Sequence, residues 1–420
     1  MTMAKQGKAT AVPRLRFPKF RKAGNWKRAR LGKLFSERQE AGFTDLPLLS
    51  LMDKDGIVPQ AESNRKNNSN ADKSKYLRVV PGDIAYNTMR MWEGRSAYAG
   101  IDGLISPAYT VCAPTGGANS RFFSYYFKTA PLVGQFRKYS QGLVKDTLNL
   151  KYENFQRIEV AYPSDEDEQK KIADCLTSLD EVIAAQGRKV EALKAHKRGL
   201  MQQLFPRKGE TRPRLRFPEF RNAPEWEQRG LGELAKRGSG HTPSKSNPAY
   251  YSEGIKWVSL ADSKRLDSGF ISETTIEISE QGIANSSAVL HQAGSVILCR
   301  DAGVGKSAVM KEPMAVSQHF MVWSCDAKLL SNWYLYYLFQ LMKPLFEDVA
   351  SGSTIKTIGL PFFKELSVIV PSLAEQQRIA DCLSSLDAKI TAESHQLAAL
   401  KTHKQGLMQQ LFPAPEAASA

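Results

Sequence analysis

One segment of this 420-residue chain occurs twice, and its length and apolar spacing restrict the possible folds more than any other feature. The copies run from residue 168 to 206 and from 375 to 413, and 25 of their 39 aligned positions are identical. Each copy lacks proline before its last residue, and apolar residues recur at alternating steps of four and three. This heptad pattern predicts a helix of roughly 55–60 Å with one apolar stripe that must pack against a partner.

The apolar stripe has corresponding members in the two copies. They are Ile172, Leu176, Leu179, Ile183, Val190, Leu193, Leu200 and Leu204 in the first, and Ile379, Leu383, Leu386, Ile390, Leu397, Leu400, Leu407 and Leu411 in the second. Polar residues interrupt both stripes at matching places, which are Gln186 and Lys197, and Glu393 and Lys404. The simplest partner for each helix is its own repeat, and the alternative is that each helix packs separately on its own domain.

The interrupting lysines favour one orientation of a helix pair. Parallel helices would place Lys197 and Lys404 in the same layer, where two buried ammonium groups repel each other. In an antiparallel pair centred on the other interrupting residues, Lys197 lies beside Asp381–Leu383 and Lys404 lies beside Asp174–Leu176. Each lysine would then be close to a carboxylate of the opposite helix. We therefore predict an antiparallel coiled coil.

The repeat extends beyond the helices. The entry motif PRLRFPKFR at residues 13–21 returns as PRLRFPEFR at residues 213–221. The chain therefore consists of two half-units, each with an entry motif, a variable globular segment and a heptad helix. A duplicated unit of this kind usually gives an object with pseudo-two-fold symmetry.

Both variable segments contain short strand-like runs separated by turn residues. These runs are 76–80, 83–87 and 109–112 in the first segment, and 255–259, 275–278, 295–299 and 320–323 in the second. Each segment continues into an aromatic-rich helix candidate, Phe122–Phe136 or Trp333–Phe346, whose rings we interpret as domain core. The predicted fold class is α+β, with two globular mixed α/β domains separated by two long helices that form an antiparallel coiled coil.

The predicted domain boundaries follow the repeat. They give a basic N-terminal tail (1–12), a first domain (13–163), a first long helix (164–206), a linker (207–212), a second domain (213–371), a second long helix (372–413) and a tail (414–420).

The charge balance indicates a polyanionic partner. The chain has 58 Lys and Arg against 43 Asp and Glu, a formal net charge of +15. Such an excess favours nucleic acid as the partner, although it could serve solubility alone. We find no apolar run long enough to span a bilayer and no signal-peptide core. The five cysteines show no CxxC spacing, which is typical of a cytosolic protein without a disulfide or zinc framework.

Motifs of catalysis and metal binding are incomplete in this sequence. Asp301–Ser307 resembles a phosphate-binding loop, but the motif needs glycine where Arg300 stands. We therefore interpret it as a strand-to-turn connection that presents Arg300 and Lys306 outward. The histidines show neither HxxxH nor HExxH spacing, so we predict no metal site.

Residues that could contact bases or phosphates are concentrated in the variable loops, although a solvated loop would have a similar composition. The DNA-binding candidates of the first half are Arg65, Lys66, Asn67, Asn68, Lys73, Lys75, Asn87, Arg90, Arg95 and Lys145. Those of the second half are Ser239, His241, Thr242, Ser244, Lys245, Lys264, Arg265, Arg300, Lys306, Gln318, His319, Thr354 and Lys356. Arg and Lys can donate to guanine, Asn and Gln can pair with adenine, and small polar residues can contact phosphates.

Taken together, the duplicated EQxxIADCLxSLD…GLMQQLFP helix, the PRLRFPxF motif and the two dissimilar inserts resemble the specificity subunit of a bacterial type I restriction-modification system. The resemblance covers nearly the whole chain. The segments Val80–Met89 and Gly103–Tyr109 resemble one common type of target-recognition domain. Gly240–Ser244 with Ile255–Val258 resembles another type.

This resemblance implies a non-catalytic subunit in the bacterial cytoplasm. Each recognition domain would read one half of a bipartite, asymmetric site in double-stranded DNA, and the paired helices would set the spacing between the halves. The expected partners are methyltransferase subunits, two of them, which bring S-adenosylmethionine, and restriction subunits that use ATP and Mg²⁺. No cofactor is expected in this chain itself. Two other functions stay open at this point: a DNA-modifying enzyme that acts alone, and a coiled-coil scaffold without DNA contact.

Overall fold

A computed structural model describes residues 12–52, 56–63, 66–67, 69–251, 254–352 and 356–413. Across these residues, no helix is long and apolar enough to cross a membrane. The described residues form two compact units: those up to Gln186 together with those from Gln396 onward, and Gly187–His395. Each long helix therefore contributes one half to each unit.

The strands of the first unit are β1 (Lys27–Arg30), β2 (Phe35–Arg38), β3 (Leu49–Met52), β4 (Gly56–Pro59), β5 (Leu77–Val79), β6 (Ile84–Asn87), β7 (Ser96–Tyr98), β8 (Gly103–Ile105), β9 (Tyr109–Pro114) and β10 (Glu159–Tyr162). The unit is built around an antiparallel sheet with the strand order β2-β9-β6-β7. The pairs β1-β10, β3-β4 and β5-β8 lie outside the main sheet. The helices are α1 (Ser120–Tyr126), α2 (Ala130–Tyr139), α3 (Tyr152–Phe155) and the first half of α4 (Glu166–Leu204).

The aromatic segment Phe122–Phe136 forms two helices, so the prediction of one continuous helix was wrong. The chain is extended at Thr129, where ψ is 144°, and α2 begins immediately afterwards with Pro131 in its first turn. Proline lacks the N–H that a continuing helix would use, but it suits the first turn of a new one. The aromatic rings nevertheless form the domain core as expected, and Phe122 and Phe127 are fully buried.

The strands of the second unit are β11 (Glu227–Gly230), β12 (Ala235–Ser239), β13 (Ile255–Val258), β14 (Phe270–Ile271), β15 (Ile276–Ile278), β16 (Val296–Cys299), β17 (Ser307–Met310), β18 (Ala315–Val316), β19 (Phe320–Cys325) and β20 (Ser367–Val370). The main sheet has the strand order β12-β19-β16-β17-β14, and a smaller sheet has the order β15-β13-β18. The helices are α5 (Leu231–Leu234), α6 (Glu280–Ala284), α7 (Asn332–Val349), α8 (Leu360–Glu365) and α9 (Leu373–Leu411).

The two variable segments share one sheet topology despite their dissimilar sequences. The order β2-β9-β6-β7 of the first unit corresponds to β12-β19-β16-β17 of the second, and β1-β10 corresponds to β11-β20. In both units the strand after the entry motif pairs with the strand just before the long helix. The internal repeat therefore includes the variable segments, although sequence identity is concentrated in the entry motifs, the few residues that follow them and the long helices.

The long helices pair antiparallel within each unit, as predicted. In the first unit, Nζ of Lys404 lies 2.5 Å from Oδ1 of Asp180. In the second unit, Nζ of Lys197 lies 2.6 Å from Oδ1 of Asp387. Each contact joins the later half of one helix to the earlier half of the other. The helices begin and end within two residues of the bounds predicted from the sequence.

The predicted partners of these lysines were wrong by roughly one to one and a half helical turns. The lysines contact Asp180 and Asp387, which lie further along the helices than the expected turns at 174–176 and 381–383. The earlier turns lie in the domain cores, where they pack together with the last turn of the opposite helix, including Leu411 in the first unit and Leu204 in the second. Ile172 and Leu176 belong to the core of the first unit, and Ile379 and Leu383 to that of the second. The stripe residues Leu179, Ile183, Leu193, Leu200, Leu386, Ile390, Leu400 and Leu407 are half-buried.

The entry motif ties the beginning of one long helix to the end of the other. In the first unit, the guanidinium of Arg16 donates to both carboxylate oxygens of Glu168 at 2.6 Å, and the N–H of Leu15 donates to the carbonyl of Gln410 at 2.9 Å. The second unit repeats these contacts with Arg216, Glu375, Leu215 and Gln203. The hydrogen bonds to the glutamates raise the pKa of Arg16 and of Arg216. Both glutamates are almost fully buried, so these ion pairs fix the motif to the helix pair.

Candidate nucleic-acid interface

In the second unit, the main sheet gathers several predicted DNA-binding residues at one of its ends. The last residue of β12, Ser239, pairs with Met321 of β19, and the last residue of β16, Cys299, pairs with Phe320. Chain segments that leave or enter these strands therefore meet at the same edge, which we call the recognition edge. It includes Ser239, His241, Thr242, Arg300, Gln318 and His319.

The β16–β17 hairpin provides the charged centre of this recognition edge. The N–H of Arg300 donates to the carbonyl of His319 at 2.9 Å, and Nδ1 of His319 lies 2.7 Å from Oδ1 of Asp301. The Nε atom of Arg300 is buried and finds no hydrogen-bond partner in the described part of the chain. Arg300 is thus half-buried, which corrects the expectation that it points outward. The burial limits the directions in which its guanidinium can donate.

Lys306 also departs from the expected outward orientation. Its Nζ donates to the carbonyl and to the hydroxyl of Ser263, both at 3.0 Å. The neighbouring Arg265 donates to Oδ1 of the buried Asp262 at 3.1 Å and to Thr275 at 2.9 Å. Lys264 is exposed. These hydrogen bonds restrict the rotamers of Lys306 and Arg265. Both acceptors of Lys306 are uncharged, so these bonds do not neutralise its positive charge.

The loop after β12 approaches the β18–β19 turn very closely. A Cβ atom on Gly240 would lie 1.8 Å from the carbonyl oxygen of Val316, so only glycine fits at this position. The hydroxyl of Thr242 hydrogen-bonds the side-chain carbonyl of Gln318, which joins two of the predicted residues. Further along the loop, Ser244 and Lys245 are exposed. The loop therefore fixes Thr242 at the recognition edge and leaves Ser244 and Lys245 on its outer part.

His291 is buried behind this loop and was not among the predicted site residues. Its Nε2 lies 3.3 Å from the carbonyl oxygen of Ser239. A Cβ atom on Gly238 would lie 2.6 Å from its ring, which shows how tightly β12 covers it. Burial lowers the pKa of His291. The sequence did not indicate that His291 is buried beneath β12, because only the fold brings these residues together.

The first unit has an equivalent recognition edge. Its β6–β7 hairpin begins at Asn87, which pairs with Tyr109 of β9 and whose side-chain oxygen accepts from the N–H of Met89 at 3.0 Å. This contact makes Asn87 a turn-forming residue. Arg90 and Arg95 lie 3.2 and 3.1 Å from the same carboxylate, that of Glu93. One acid therefore orients both arginines and leaves an excess of positive charge on the hairpin.

The remaining candidates of the first unit lie on two other loops. Lys66 and Lys75 are exposed, and the side-chain oxygen of Asn67 accepts from the N–H of Ser69 at 3.0 Å. Nζ of Lys73 lies 4.8 Å from the ring centroid of Tyr76 and donates to Ser69. These contacts join residues of the described part of this loop, 66–67 and 69–76, to one another and not to the β6–β7 hairpin. The candidates Arg65, Asn68 and Thr354 lie outside the described residues.

In each unit, the glycine loop before the final strand docks on the hairpin. The N–H of Leu150 donates to the carbonyl of Thr88 at 2.8 Å, and that of Ile358 donates to the carbonyl of Arg300 at 2.8 Å. The exposed Lys145 and Lys356 belong to these docked loops. These hydrogen bonds therefore join the two loops to the recognition edges.

The recognition edges contain hydrogen-bond donors and positive charges. Within the described ranges, no group of three or more His, Cys, Asp or Glu side chains lies together as a possible metal site. The guanidinium, ammonium, amide and hydroxyl groups found here can donate to phosphates and to base edges.

Most of the chain is similar to specificity subunits of type I restriction enzymes. It matches the family of the type I restriction modification DNA specificity domain twice, over residues 25–195 and 224–402. The MjaVIII type I restriction enzyme specificity subunit of Methanocaldococcus jannaschii is 23% identical over 357 residues, which are 81% of this chain and 82% of that relative. The MjaIX specificity subunit of the same organism is 28% identical over 174 residues, 41% of this chain, and this match spans only 40% of that relative's length.

Solved structures share the same fold. The crystal structure of the S subunit of a type I restriction-modification system from M. genitalium superposes with a TM-score of 0.59 at 14% identity, covering 96% of this chain and all of that one. A chain from a study of complex assembly and conformational transition of the type I restriction-modification system gives a TM-score of 0.57 at 15% identity, covering 93% and 98%. At these identities, the likeness establishes the α+β architecture with two long helices.

Proposed function

This chain belongs to the family of type I restriction-modification specificity subunits, and we propose that it selects the DNA sequence on which a methyltransferase complex acts. The family match covers both halves of the chain, including both variable segments and most of both helices. We propose that the chain is not itself a catalyst. The family match favours this role over a DNA-modifying enzyme that acts alone and over a scaffold without DNA contact.

Each recognition domain would read one half of a bipartite site in double-stranded DNA. The observation that carries this proposal is that two equivalent hairpins, on sheets of the same topology, bear different side chains. The first hairpin has Arg90 and Arg95 around one glutamate, whereas the second has Arg300 and Lys306 with different partners. Because base identity is read by side-chain donors and acceptors in the major groove, unlike hairpins would recognise unlike half-sites. The resulting site would be asymmetric.

The paired helices would hold the two reading domains at a fixed spacing. The ion pairs of Lys197 and Lys404 and the buried arginine–glutamate pairs support this role, because they fasten each helix pair to a domain. In dimeric DNA-binding proteins, the geometry between domains likewise sets the separation of half-sites. The helices would thereby set the length of the unread spacer.

The repeated entry motifs and long helices would also receive the catalytic subunits. We propose methyltransferase subunits, two per chain in keeping with the internal repeat, which bring S-adenosylmethionine. Restriction subunits that use ATP and Mg²⁺ would complete the assembly in the bacterial cytoplasm. In this division of labour the chemistry belongs to the partners, and this chain contributes the choice of sequence.

An exchange of one variable segment tests this function. Residues 35–155 would be replaced by the corresponding segment of another family member, and the methylated sites would be mapped in cells that contain the methyltransferase. We expect one half of the site to change while the other half keeps its sequence. A chimera that retained the parental sequence in both halves, or changed both, would contradict the proposal. The reciprocal exchange of residues 235–363 provides the matched control for the other half.

A further inference from the structure

The second recognition domain has a basic cleft beside its hairpin that none of the single-residue candidates revealed. The cleft has a volume of about 550 Å³, within the range that holds small ligands. Three lysines line it, Lys306, Lys343 and Lys356, together with one acid, Glu347. These lysines come from the hairpin, from α7 and from the docked glycine loop. The fold therefore brings together cations that are far apart in the sequence.

Two of the three lysines are held in place by hydrogen bonds or ion pairs to neighbouring residues. Nζ of Lys306 donates to Ser263 at 3.0 Å, and Nζ of Lys343 lies 3.1 Å from Oδ2 of Asp267. The other oxygen of Asp267 accepts from the N–H of Ser307 at 2.9 Å and from Gln340 at 2.8 Å. Asp267 thus orients Lys343 while being shared with other donors. Such restrained ammonium groups lose little conformational entropy when they bind an anion.

The hairpin turn supplies a second feature that suits an anion. Ala302 has a φ of 43°, a conformation that a residue with a side chain rarely adopts, and Gly303 follows with a φ of 134°. The backbone N–H groups of Gly303 and Val304 have no acceptor in the part of the chain that the structure describes. All three residues line the cleft. Successive N–H groups in a turn of this kind form concave anion-binding sites.

The two domains differ at the helix position that covers this hairpin. Gly94 and Gly305 occupy the same place in the two hairpins, with φ values of 79° and 83°. A Cβ atom on Gly94 would lie 3.0 Å from Cγ2 of Val133, and one on Gly305 would lie 2.9 Å from Cγ of Lys343. The helix residue that covers the hairpin glycine is therefore valine in the first domain and lysine in the second.

We propose that this cleft binds a backbone phosphate of DNA and that Lys343 is one of its contacts. The inference rests on the proposed DNA-reading function, because the cleft adjoins the hairpin of the second recognition edge. A DNA phosphate would lie between Lys343 and Lys356, with the N–H groups of the turn as further donors. Phosphate contacts position a protein on the duplex and carry no base information. The second domain would therefore make a sequence-independent contact through the helix position that Val133 occupies in the first domain.

Salt titration of DNA binding tests the cleft directly. The full-length chain, purified together with its methyltransferase subunit, would be titrated with duplex DNA between 50 and 200 mM salt. We expect Lys343→Gln to weaken binding to the specific duplex and to an unrelated duplex alike. We also expect it to reduce the slope of log Kobs against log salt by about 1, because one counterion fewer is released. The methylated sequence should be unchanged.

Three further variants keep the test decisive. Lys311→Gln removes an exposed lysine at the other end of β17 and should leave the slope unchanged. Lys356→Gln removes an exposed side chain of the cleft and should reproduce the loss, even if Lys343→Gln affects folding. Val133→Lys places a lysine at the equivalent position of the first domain and should increase the slope.

The outcomes separate this inference from the proposed function. If the wild-type complex bound no DNA, the proposed function itself would fail. If the wild type bound DNA but Lys343→Gln and Lys356→Gln left the slope unchanged, only the phosphate site would be overturned. A changed base preference in these variants would likewise overturn it, since a phosphate contact cannot read bases. A further experiment measures the binding of inorganic phosphate to the same complex. If Lys343→Gln weakened the binding of phosphate but left the affinity for DNA unchanged, the cleft would be a site for a free anion, and the proposed DNA contact would be refuted.

Discussion

Nζ of Lys197 lies 2.6 Å from Oδ1 of Asp387 on the opposite long helix, and the hydroxyl of Tyr337 donates to the other oxygen of the same carboxylate at 2.8 Å. The ammonium group also lies 5.0 Å from the centroid of the Tyr337 ring. The first unit repeats this set with Lys404, Asp180 and Tyr125. In both units, the aspartate therefore links three elements: two long helices and the aromatic helix of the recognition domain.

Removal of Lys197 should destabilise the second unit. Lys197→Met leaves the half-buried carboxylate of Asp387 with the Tyr337 hydroxyl but without its cation, so we expect a loss of about 1–3 kcal/mol in the free energy of unfolding. Thermal and urea denaturation would measure it. The double variant Lys197→Met/Asp387→Leu should recover part of the loss, because no unpaired charge remains.

The exposed Lys194 provides the matched control for that experiment. It pairs with Glu191 one turn away on the same helix, and Lys194→Met should change stability by less than about 0.5 kcal/mol. Equal effects of the two lysine substitutions would contradict the assignment of Lys197 to a helix-to-helix contact.

The buried pair of Arg216 and Glu375 should be more sensitive than the helix pair. Both side chains are over nine-tenths buried, with 6% and 1% exposed, so Arg216→Met would leave a carboxylate without its cation inside the protein. We expect a loss of about 3–5 kcal/mol and a corresponding fall in soluble protein. Arg214→Met, two residues away and exposed, should behave like the wild type. A fully stable Arg216→Met protein would show that the entry motif does not anchor the helix pair.

The stability of the second unit should fall as the pH drops below the ordinary pKa of histidine. Burial lowers the pKa of His291 in the folded state, whereas the unfolded chain titrates at about 6.5. The unfolded state therefore binds the proton more readily than the folded state. The contribution of neutral His291 to the free energy of unfolding is fully present above about pH 6.5 and is lost as the pH falls towards the pKa of the folded state. Unfolding temperatures measured at pH 7.5 and 5.5 would show this decline.

Substitution of His291 should remove that part of the pH dependence. His291→Gln should make the difference between the two unfolding temperatures smaller, while His395→Gln, on an exposed helix face, should leave it unchanged. An unaltered pH dependence in His291→Gln would mean that other groups cause the acid sensitivity.

The long helices and the fold class could be predicted because their signal is local and repeated. Heptad spacing, matching polar interruptions and the position of Pro206 and Pro413 are all visible along the chain. The partners of the two lysines were missed because a helical side chain leans towards the N-terminus of its own helix, which in an antiparallel pair moves its contacts further along the opposite helix. Ile172 and Leu176 fit the stripe and lie in the core of the first unit together with Leu411 of the opposite helix.

The recognition edges were only partly predictable, for a different physical reason. Composition identified Arg300, Lys306 and Lys356 as possible contacts, and their grouping depends on strand pairing and loop docking over long sequence distances. Lys343 lies in a helix whose aromatic residues indicate core packing, so nothing local distinguishes it from a solvated lysine. The sheet topology that the two domains share could not be predicted either, because many different sequences satisfy the same alternation of buried and exposed positions.

A genome-wide map of methylated sites tests the account most directly. It would be recorded in a strain that contains this chain with its methyltransferase subunit and compared with the same strain lacking the chain. We predict a single bipartite motif with two different half-sites separated by a spacer of constant length, present only when the chain is present. A continuous or palindromic motif, or methylation that does not depend on the chain, would contradict the claim that two unlike domains read DNA at a spacing set by the paired helices.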